Sequence, residues 1–513
     1  MPSNGLLHDG LAYWARRTPD AVAATLDGRE TITYSELSLW SDGIARHLQA
    51  KGARAGANVA IAAANSLAWV ASAFAILKVG ATISPFNDRL VAEELRYLAE
   101  NSEACLIIAD EERRHLFADA KVETPLVDME SLEDCRDGAS SGWRPVRTDS
   151  DSVAMIIFTS GSTDRPKGAM MTHGNYLAKF LEMRLLDDRL GSATRSLMPF
   201  GLHSSPGLPW GIFFTTTLGG TLYFTSRYKA ENILDLLATE AIDFFIGVPM
   251  IFEQVANLSG FAAAELSHLT FARIGGATPT PEIIRRWREK GVALRQLYGM
   301  TEVGGGCLIA NEKEAFERPD SCGRGLAFSR FKIVREDGSE CGPNEPGNIL
   351  LQGPGLMSGY WKKPEETAAA LKDGWMHTGD IGLYDEDGYF KFLDRSKEMI
   401  KSGGFNVSPS EIECTIRKHP AIVEVAVFGI EDPDYAESIF AFASCDSELT
   451  QQELFDFCVE HMAGYKLPRF IEISRDRLPR LANEKVDKRI LKQRFKNAAR
   501  ERVRLKALRP LDK

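Results

Sequence analysis

The stretch from Phe158 to Gly168 reads FTSGSTDRPKG: hydroxyl residues around a glycine, a charged pair, a proline, a lysine and a second glycine. Small residues let backbone N–H groups and hydroxyls approach an anion closely, and Lys167 adds a positive charge, so the loop has the chemistry of a phosphate cradle. The preceding VAMIIF is an apolar run of strand length. It places the loop at the carboxyl end of a buried strand, where ligands bind in open α/β sheets. The spacing is not that of a Walker loop, because Gly161 precedes Lys167 by six positions and Gly168, not Ser or Thr, follows the lysine. Asp164 is the anomaly, a carboxylate inside a loop suited to anions.

Outward from this loop the chain alternates helical and strand-like patterns. ITYSELSLWSDGIARHLQAKG has a capping-type start and a glycine stop, NVAIAAAN is a short apolar run, and SLAWVASAFAILKVGA is a second helix. RLVAEELRYLAENSEACLIIAD reads as a helix and then a buried strand. The same grammar returns with a helix at 230–241, strands FFIGVP at 244–249 and FARIGGA at 271–277, a helix at 281–290 and a strand-to-loop passage RQLYGMTE at 295–302. Strands alternating with helices predict βαβ units and mostly parallel sheet. Residues 329–395 carry DG and GP turns between short alternating strands, which predicts a β-rich subdomain. Beyond Arg395 the pattern is a small α+β unit. The expected fold is α/β: a large N-terminal domain at 1–394 made of βαβ subdomains plus the β-rich subdomain, a hinge at 395–397, and a small mobile α+β domain at 398–513.

At 513 residues the chain exceeds what one core usually supports, and 44% hydrophobic with 26% charged residues is ordinary for a globular protein. The net charge of −10 argues against general nucleic-acid binding. The charge is uneven: residues 488–513 carry +9 and the rest −19. Such a tail reads as a solvated helix face, with weak peripheral contact to anionic lipid as the sharper alternative. The eight cysteines show no CxxC pair and no metal-ligand spacing, as expected of reduced thiols. No apolar run approaches a membrane span, and the first twenty residues lack a signal peptide's apolar core, so a cytoplasmic enzyme is expected. The sequence leaves oligomeric state open, a homodimer included.

FTSGSTDRPKG resembles the phosphate-binding signature of the adenylate-forming superfamily of acyl-CoA synthetases, aryl-CoA ligases, peptide-synthetase adenylation domains and luciferases. The resemblance continues in family order through YGMTE at 298–302, HTGD at 377–380, LDRSKEMIKSGGFNVSPSEIE at 393–413 and LPRLANEKVDK at 478–488. It implies that Thr159, Ser160, Gly161, Ser162, Thr163 and Lys167 hold the ATP phosphates, and that Gly276, Ala277, Thr278, Tyr298, Gly299 and Met300 frame the adenosine, with adenine on the Tyr298 ring. Thr301 would contact phosphate, and Glu302, with Thr163, would hold Mg2+. Asp380 would bind the ribose hydroxyls and Arg395 would reach the same sugar. By the same resemblance, Lys397 is the hinge about which the small domain rotates between half-reactions. Lys485 would assist adenylation, Lys401 would face the adenylate, and Ser402, Gly403, Gly404 and Asn406 would line the CoA tunnel. Lys466 is a candidate for a CoA phosphate. The pattern departs at Asn483-Glu484, where relatives carry Thr-Gly.

The acyl pocket is expected among His203, Gly275, Gly276, Gly299, Met300 and Gly304. Gly275-Gly276-Ala277 and Gly304-Gly305-Gly306 supply little bulk, which favours a medium, long-chain or aryl acid over acetate. Trp210, Phe213, Phe214, Phe244 and Phe245 are candidates to line it or to be core. Arg273 stands where a strand residue is usually apolar, as a strand-edge salt bridge or as counter-ion for a second substrate carboxylate. The resemblance thus implies an ATP-dependent acyl-CoA ligase using Mg2+ and CoA, which adenylates a carboxylic acid and then forms its thioester. The alternatives are an enzyme that loads a carrier protein, or a member with impaired adenylation that mainly thioesterifies or binds acyl-adenylate.

Overall fold

The computed structural model describes residues 5–136, 143–159, 166–395, 398–402, 405–432, 436–481 and 486–505, with Lys401, Phe405, Asn406 and Ala436 described by backbone alone. The described residues within Met1–Lys332, Leu350–His377 and Asp387–Phe390 pack as one unit, and those within Ile333–Ile349, Thr378–Glu386 and Lys391–Lys513 as a second.

The first unit contains two large sheets. One runs in the order Gly359–Tyr360, Lys167–Thr172, Val153–Thr159, Thr82–Pro85, Asn58–Ala62, Ala104–Ala109 and Leu126–Asp128. Its last five strands are parallel, and the first two are antiparallel to their neighbours. The other runs Gly305–Ile309, Leu294–Met300, Phe271–Ile274, Phe244–Gly247, Arg195–Met198, Thr221–Phe224, Val22–Leu26 and Glu30–Thr33. It is parallel except at its two edges. The mostly parallel architecture follows from the βαβ grammar of the sequence: strands whose two faces are both covered need apolar runs, and helices supply the cover. The helix Leu67–Lys78 is buried along its whole length.

Local signals explain the boundaries. The helix Tyr34–Ala50 starts at a capping box, with Thr33 Oγ1 accepting from the Glu36 N–H at 3.2 Å and a Glu36 carboxylate oxygen accepting from the Thr33 N–H at 2.8 Å. The strand expected to run to 249 ends at Gly247, because Pro249 occupies the first turn of the helix Pro249–Ala256. The strand expected over 271–277 ends at Ile274, since Gly276 turns the backbone at φ +80°.

The β-rich passage after 329 forms a five-stranded sheet of Arg330–Val334, Gly347–Gln352, Trp375–Tyr384 and Leu371–Lys372, with Phe390–Arg395 paired to Trp375–Tyr384. The division between units runs through these strands. A short helix, Pro364–Ala370, interrupts the strand pattern that the sequence suggests.

In the second unit the long strands Ile422–Asp432 and Ala436–Cys445 are antiparallel, with Phe470–Ser474 parallel to the latter. Val425, Val427, Ile439 and Ala441 pack one face against Ile412, Ile416, Leu454 and Phe455 of two helices. Phe428, Phe440 and Phe442 pack the other against Leu491 and Phe495. This second layer accounts for part of the basic tail. Leu491 and Phe495 are core, Lys488 reaches Glu413 at 2.8 Å, Arg502 reaches Glu472 at 2.7 Å and Arg504 reaches Asp432 at 2.7 Å. The cysteines are unpaired thiols. Among the described residues no helix is long and apolar enough to cross a membrane.

Candidate active site

Thr159 and Lys167 face each other as register partners on antiparallel strands. Glu302 comes from the other sheet. It follows the strand Leu294–Met300 in a single tight turn, Thr301–Val303, and its carbonyl accepts from the Met357 N–H at 2.8 Å. Its buried carboxylate joins the two sheets. Tyr360 donates to Glu302 Oε1 at 3.0 Å, and the Thr159 hydroxyl donates to the same oxygen at 3.3 Å. Lys167 Nζ lies 5.4 Å from the centre of the Tyr360 ring, a cation over an aromatic face. Thr159 and Lys167 on one side and the carboxylate of Glu302 on the other, far apart in sequence, therefore share one locus.

Two members of this locus escape sequence reading. Tyr360 lies on a two-residue edge strand, too short to carry a period. Tyr176, fully buried on the helix His173–Leu186, has no hydrogen-bond partner for its hydroxyl among the described residues, and burial followed by the charge of Glu302 pushes its ionisation up. Burial and then Glu302 likewise hold Tyr360 protonated, as a donor must be. Both donors act on Oε1, which leaves Oε2 of Glu302 without a hydrogen bond among the described residues. A carboxylate fixed through one oxygen and open through the other is suited to a hard cation, so Glu302 fits the magnesium expected of it.

Tyr298 is buried against Phe390, with ring centres 5.0 Å apart. Gly299 packs so closely on Gly305 that a Cβ would collide with the Gly305 carbonyl. Gly275 is buried at the carboxyl end of the strand Phe271–Ile274, and Gly276, Ala277 and Thr278 after it are exposed. Met300 and Thr301 are half-buried at the end of the neighbouring strand. His203 stands 3.5 Å from Asp88, yet burial outweighs that carboxylate and holds the imidazole down to about 4, so it is neutral at neutral pH.

The aromatic candidates divide between two roles. Phe180, Trp210, Phe214, Phe244 and Phe271 form a continuous row with successive ring centres 5.2–5.5 Å apart. Trp210 Nε1 donates to the Gly304 carbonyl at 3.2 Å, which fixes the row against the three glycines. Phe213 packs on Phe74 and Phe245 on Phe252, both as core. Arg273 corrects the ordinary expectation of a strand-edge salt bridge. Its strand lies between two others, and the guanidinium is buried without an ion pair among the described residues, 4.7 Å from the Trp210 ring and 5.7 Å from that of Phe244.

In the second unit Arg395 Nε stands 3.8 Å from Asp380 Oδ1, while Thr378 accepts from the Asp380 N–H at 3.1 Å. Lys401 pairs with Asn406 and Ser402 with Phe405 on two antiparallel strands. Lys466 is bonded to Glu411 and lines a cavity of about 190 Å³ with Thr415, His461 and Met462. Ser160, Gly161, Ser162, Thr163, Asp164, Lys397, Gly403, Gly404, Glu484 and Lys485 lie outside the described residues.

Residues 11–361 match the family model of AMP-binding enzymes, and residues 411–485 match that of the AMP-binding enzyme C-terminal domain. The chain belongs to the adenylate-forming AMP-binding enzyme family. It is 33% identical to a feruloyl-CoA synthase from Amycolatopsis sp. over 498 residues, 95% of this chain and 99% of the relative. Among solved structures it resembles the anthranilate CoA ligase AuaEII in complex with anthranoyl-AMP, with a TM-score of 0.89 and 25% identity over 98% of this chain and 99% of the other. It also resembles o-succinylbenzoate coenzyme A synthetase (MenE) from Bacillus subtilis in complex with ATP and magnesium ion, with a TM-score of 0.86 and 26% identity over 95% of this chain and 99% of the other.

This adenylate-forming enzyme is an AMP-forming acid–CoA ligase. It converts a carboxylic acid and ATP to an acyl-adenylate and pyrophosphate, then passes the acyl group to CoA with release of AMP. Magnesium, bound with ATP, supplies positive charge against the phosphates.

Proposed function

We propose that the ligase activates an aromatic carboxylic acid, and that the acyl group sits between the glycine-lined strand ends and the aromatic row. The observation that carries this reading is the row itself. Trp210 is tied to Gly304, and the consecutive glycines at 304–306 set backbone, not side chains, beside an unbroken run of rings. A flat ring gains from stacked and edge contacts there, about 0.5–1.5 kcal/mol for each aromatic pair beyond area burial. The relatives named for ferulate, anthranilate and o-succinylbenzoate support the same substrate class.

On this reading Thr159 and Lys167 engage the phosphates, Glu302 holds the metal while Tyr360 fixes its orientation, and Tyr298 flanks adenine. His203 closes the acyl site as a neutral imidazole. Asp380 and Arg395 bind the ribose. Lys485 and Lys401 act at the carboxylate and the α-phosphate, and rotation about Lys397 exchanges them for the Ser402–Asn406 segment and CoA, with Lys466 at a CoA phosphate. Comparing kcat/KM for aromatic acids and for straight-chain acids of equal carbon number, by CoA-dependent AMP release, tests the proposal. Preference for the aromatic series supports it, and equal or better turnover of the straight chains refutes it. Adenylate formation without CoA thioester would indicate a carrier-loading enzyme instead.

A further inference from the structure

Arg273 is a buried cation with no counter-ion among the described residues. Its Nε and Nη1 are buried and make no hydrogen bond to any of them. The charged group nearest in effect is another cation, Arg295, its register partner on the next strand. Arg295 has a counter-ion in Asp187 at 2.9 Å and also donates to the Thr270 carbonyl at 2.8 Å, although its Nε too is buried without a partner, whereas among the described residues Arg273 has only aromatic rings beside it. Burial, then repulsion from Arg295, brings the Arg273 guanidinium down to about 9, which still leaves it charged at neutral pH. Aromatic faces return part of the lost hydration, but they accept no N–H in the guanidinium plane. A cation left in this state is costly unless something else pairs with it.

The position says what that partner is. Arg273 is the last residue but one of the strand Phe271–Ile274, and Gly275, two positions on, follows the strand's end, so Arg273 lies roughly 7 Å deeper in the sheet than Gly275. Gly306 packs beside it: a Cβ there would come within 3.1 Å of Arg273 Nη2, so only glycine lets the backbone lie this close to the guanidinium. Trp210, which covers one face of the guanidinium, is the same ring that bonds Gly304.

We infer that Arg273 is a specificity-determining residue that receives a second carboxylate, carried by the aromatic ring of the substrate at the end remote from the carboxylate being activated. This rests on the aromatic-acid reading above. The guanidinium donates its in-plane N–H groups to the carboxylate oxygens while Trp210 and Phe244 hold its faces, a geometry that lysine cannot reproduce. An acid of the same shape without the second carboxylate leaves the cation unpaired.

The test uses the full-length wild-type enzyme and two matched pairs, 4-carboxycinnamate against 4-methylcinnamate and 2-succinylbenzoate against 4-oxo-4-phenylbutanoate. The readout is kcat/KM for CoA-dependent AMP release, with the ATP KM measured alongside. Wild type should favour the diacid in at least one pair by about 100-fold, the scale of breaking a buried hydrogen-bonded charge pair. Arg273→Met should bring that ratio to within about threefold of unity, through loss on the diacid, with the ATP KM unchanged, and Arg273→Lys should recover only part of it. If Arg273→Met does not fold, the wild-type ratio alone decides. A wild-type ratio near unity in both pairs, or a ratio that survives in Arg273→Met, overturns the inference and leaves the aromatic-acid reading standing. Turnover of no aromatic acid overturns both.

Discussion

Replacing Tyr360 by Phe removes one oxygen and leaves the ring in place. In wild type that oxygen donates to buried Glu302 Oε1 at 3.0 Å, and among the described residues the other donor to it is Thr159, at the longer distance of 3.3 Å. A hydrogen bond to a charged group contributes about 1.5–3 kcal/mol, so losing it should reduce adenylation roughly 10- to 150-fold if the bond sets the direction of the open oxygen. Lys167 still lies over a ring, so the phosphate side of the locus is disturbed less. The assay is acid-dependent exchange of pyrophosphate into ATP, measured against MgATP concentration. Tyr360→Phe should lower kcat/KM for MgATP by that factor with the acid KM unchanged, and Glu302→Gln should lower it further. In the Glu302→Gln background, Tyr360→Phe should cost less than about threefold, because the two act as one unit. Full additivity of the two substitutions, or a single Tyr360→Phe variant within about threefold of wild type, would refute the argument that Tyr360 positions Glu302.

Three other outcomes follow from the same structure. Burial holds His8 down to about 3 and His173 and His203 down to about 4, while it raises Asp243 to about 6. Near pH 5, unfolding therefore takes up three protons at the histidines and releases one from Asp243. Stability should fall as pH drops from about 6.5 to about 4, with a slope of about 2.7 kcal/mol per pH unit between pH 6 and 4; urea unfolding across that range checks it, and a flat profile contradicts it. Lys179 and Glu182 form a 2.6 Å ion pair with both side chains fully buried, joined by the Ser329 hydroxyl at 2.9 Å from the lysine. Lys179→Met should cost about 3–5 kcal/mol in urea denaturation by stranding Glu182, and adding Glu182→Leu should restore much of it. Asp164→Gly should lower the ATP KM several-fold, since a carboxylate at about 8 Å from a phosphate charge and an effective dielectric of about 20 would repel it by roughly 2 kcal/mol before screening, which removes part of that. An unchanged KM would place that carboxylate out of range.

The parts of the site that were legible in the sequence are those whose chemistry is local. A glycine-rich loop after an apolar run indicates a phosphate cradle, and YGMTE carries its aromatic, hydroxyl and carboxylate within five residues. The structure brings Thr159, Lys167 and Glu302 together as those segments imply. Tyr360 was not legible, because an edge strand of two residues has no period and its register opposite Ala169 depends on pairing across the chain. The environment of Arg273 was hidden for a related reason. A four-residue strand does not reveal from its sequence whether it is central or at an edge, and only the order of the sheet turns an edge ion-pair candidate into a buried cation without an ion pair among the described residues. Pro249 was readable either as the end of a strand or as the first turn of a helix, and the fold uses the second.

The account is tested most directly by one reaction of purified enzyme with ATP, magnesium, CoA and an aromatic carboxylic acid, followed by mass spectrometry of the thioester and chromatography of the nucleotides. It predicts aroyl-CoA and AMP in equal amounts, both dependent on the acid. Formation of ADP instead of AMP, or AMP release with no CoA thioester from any aromatic acid, would contradict it.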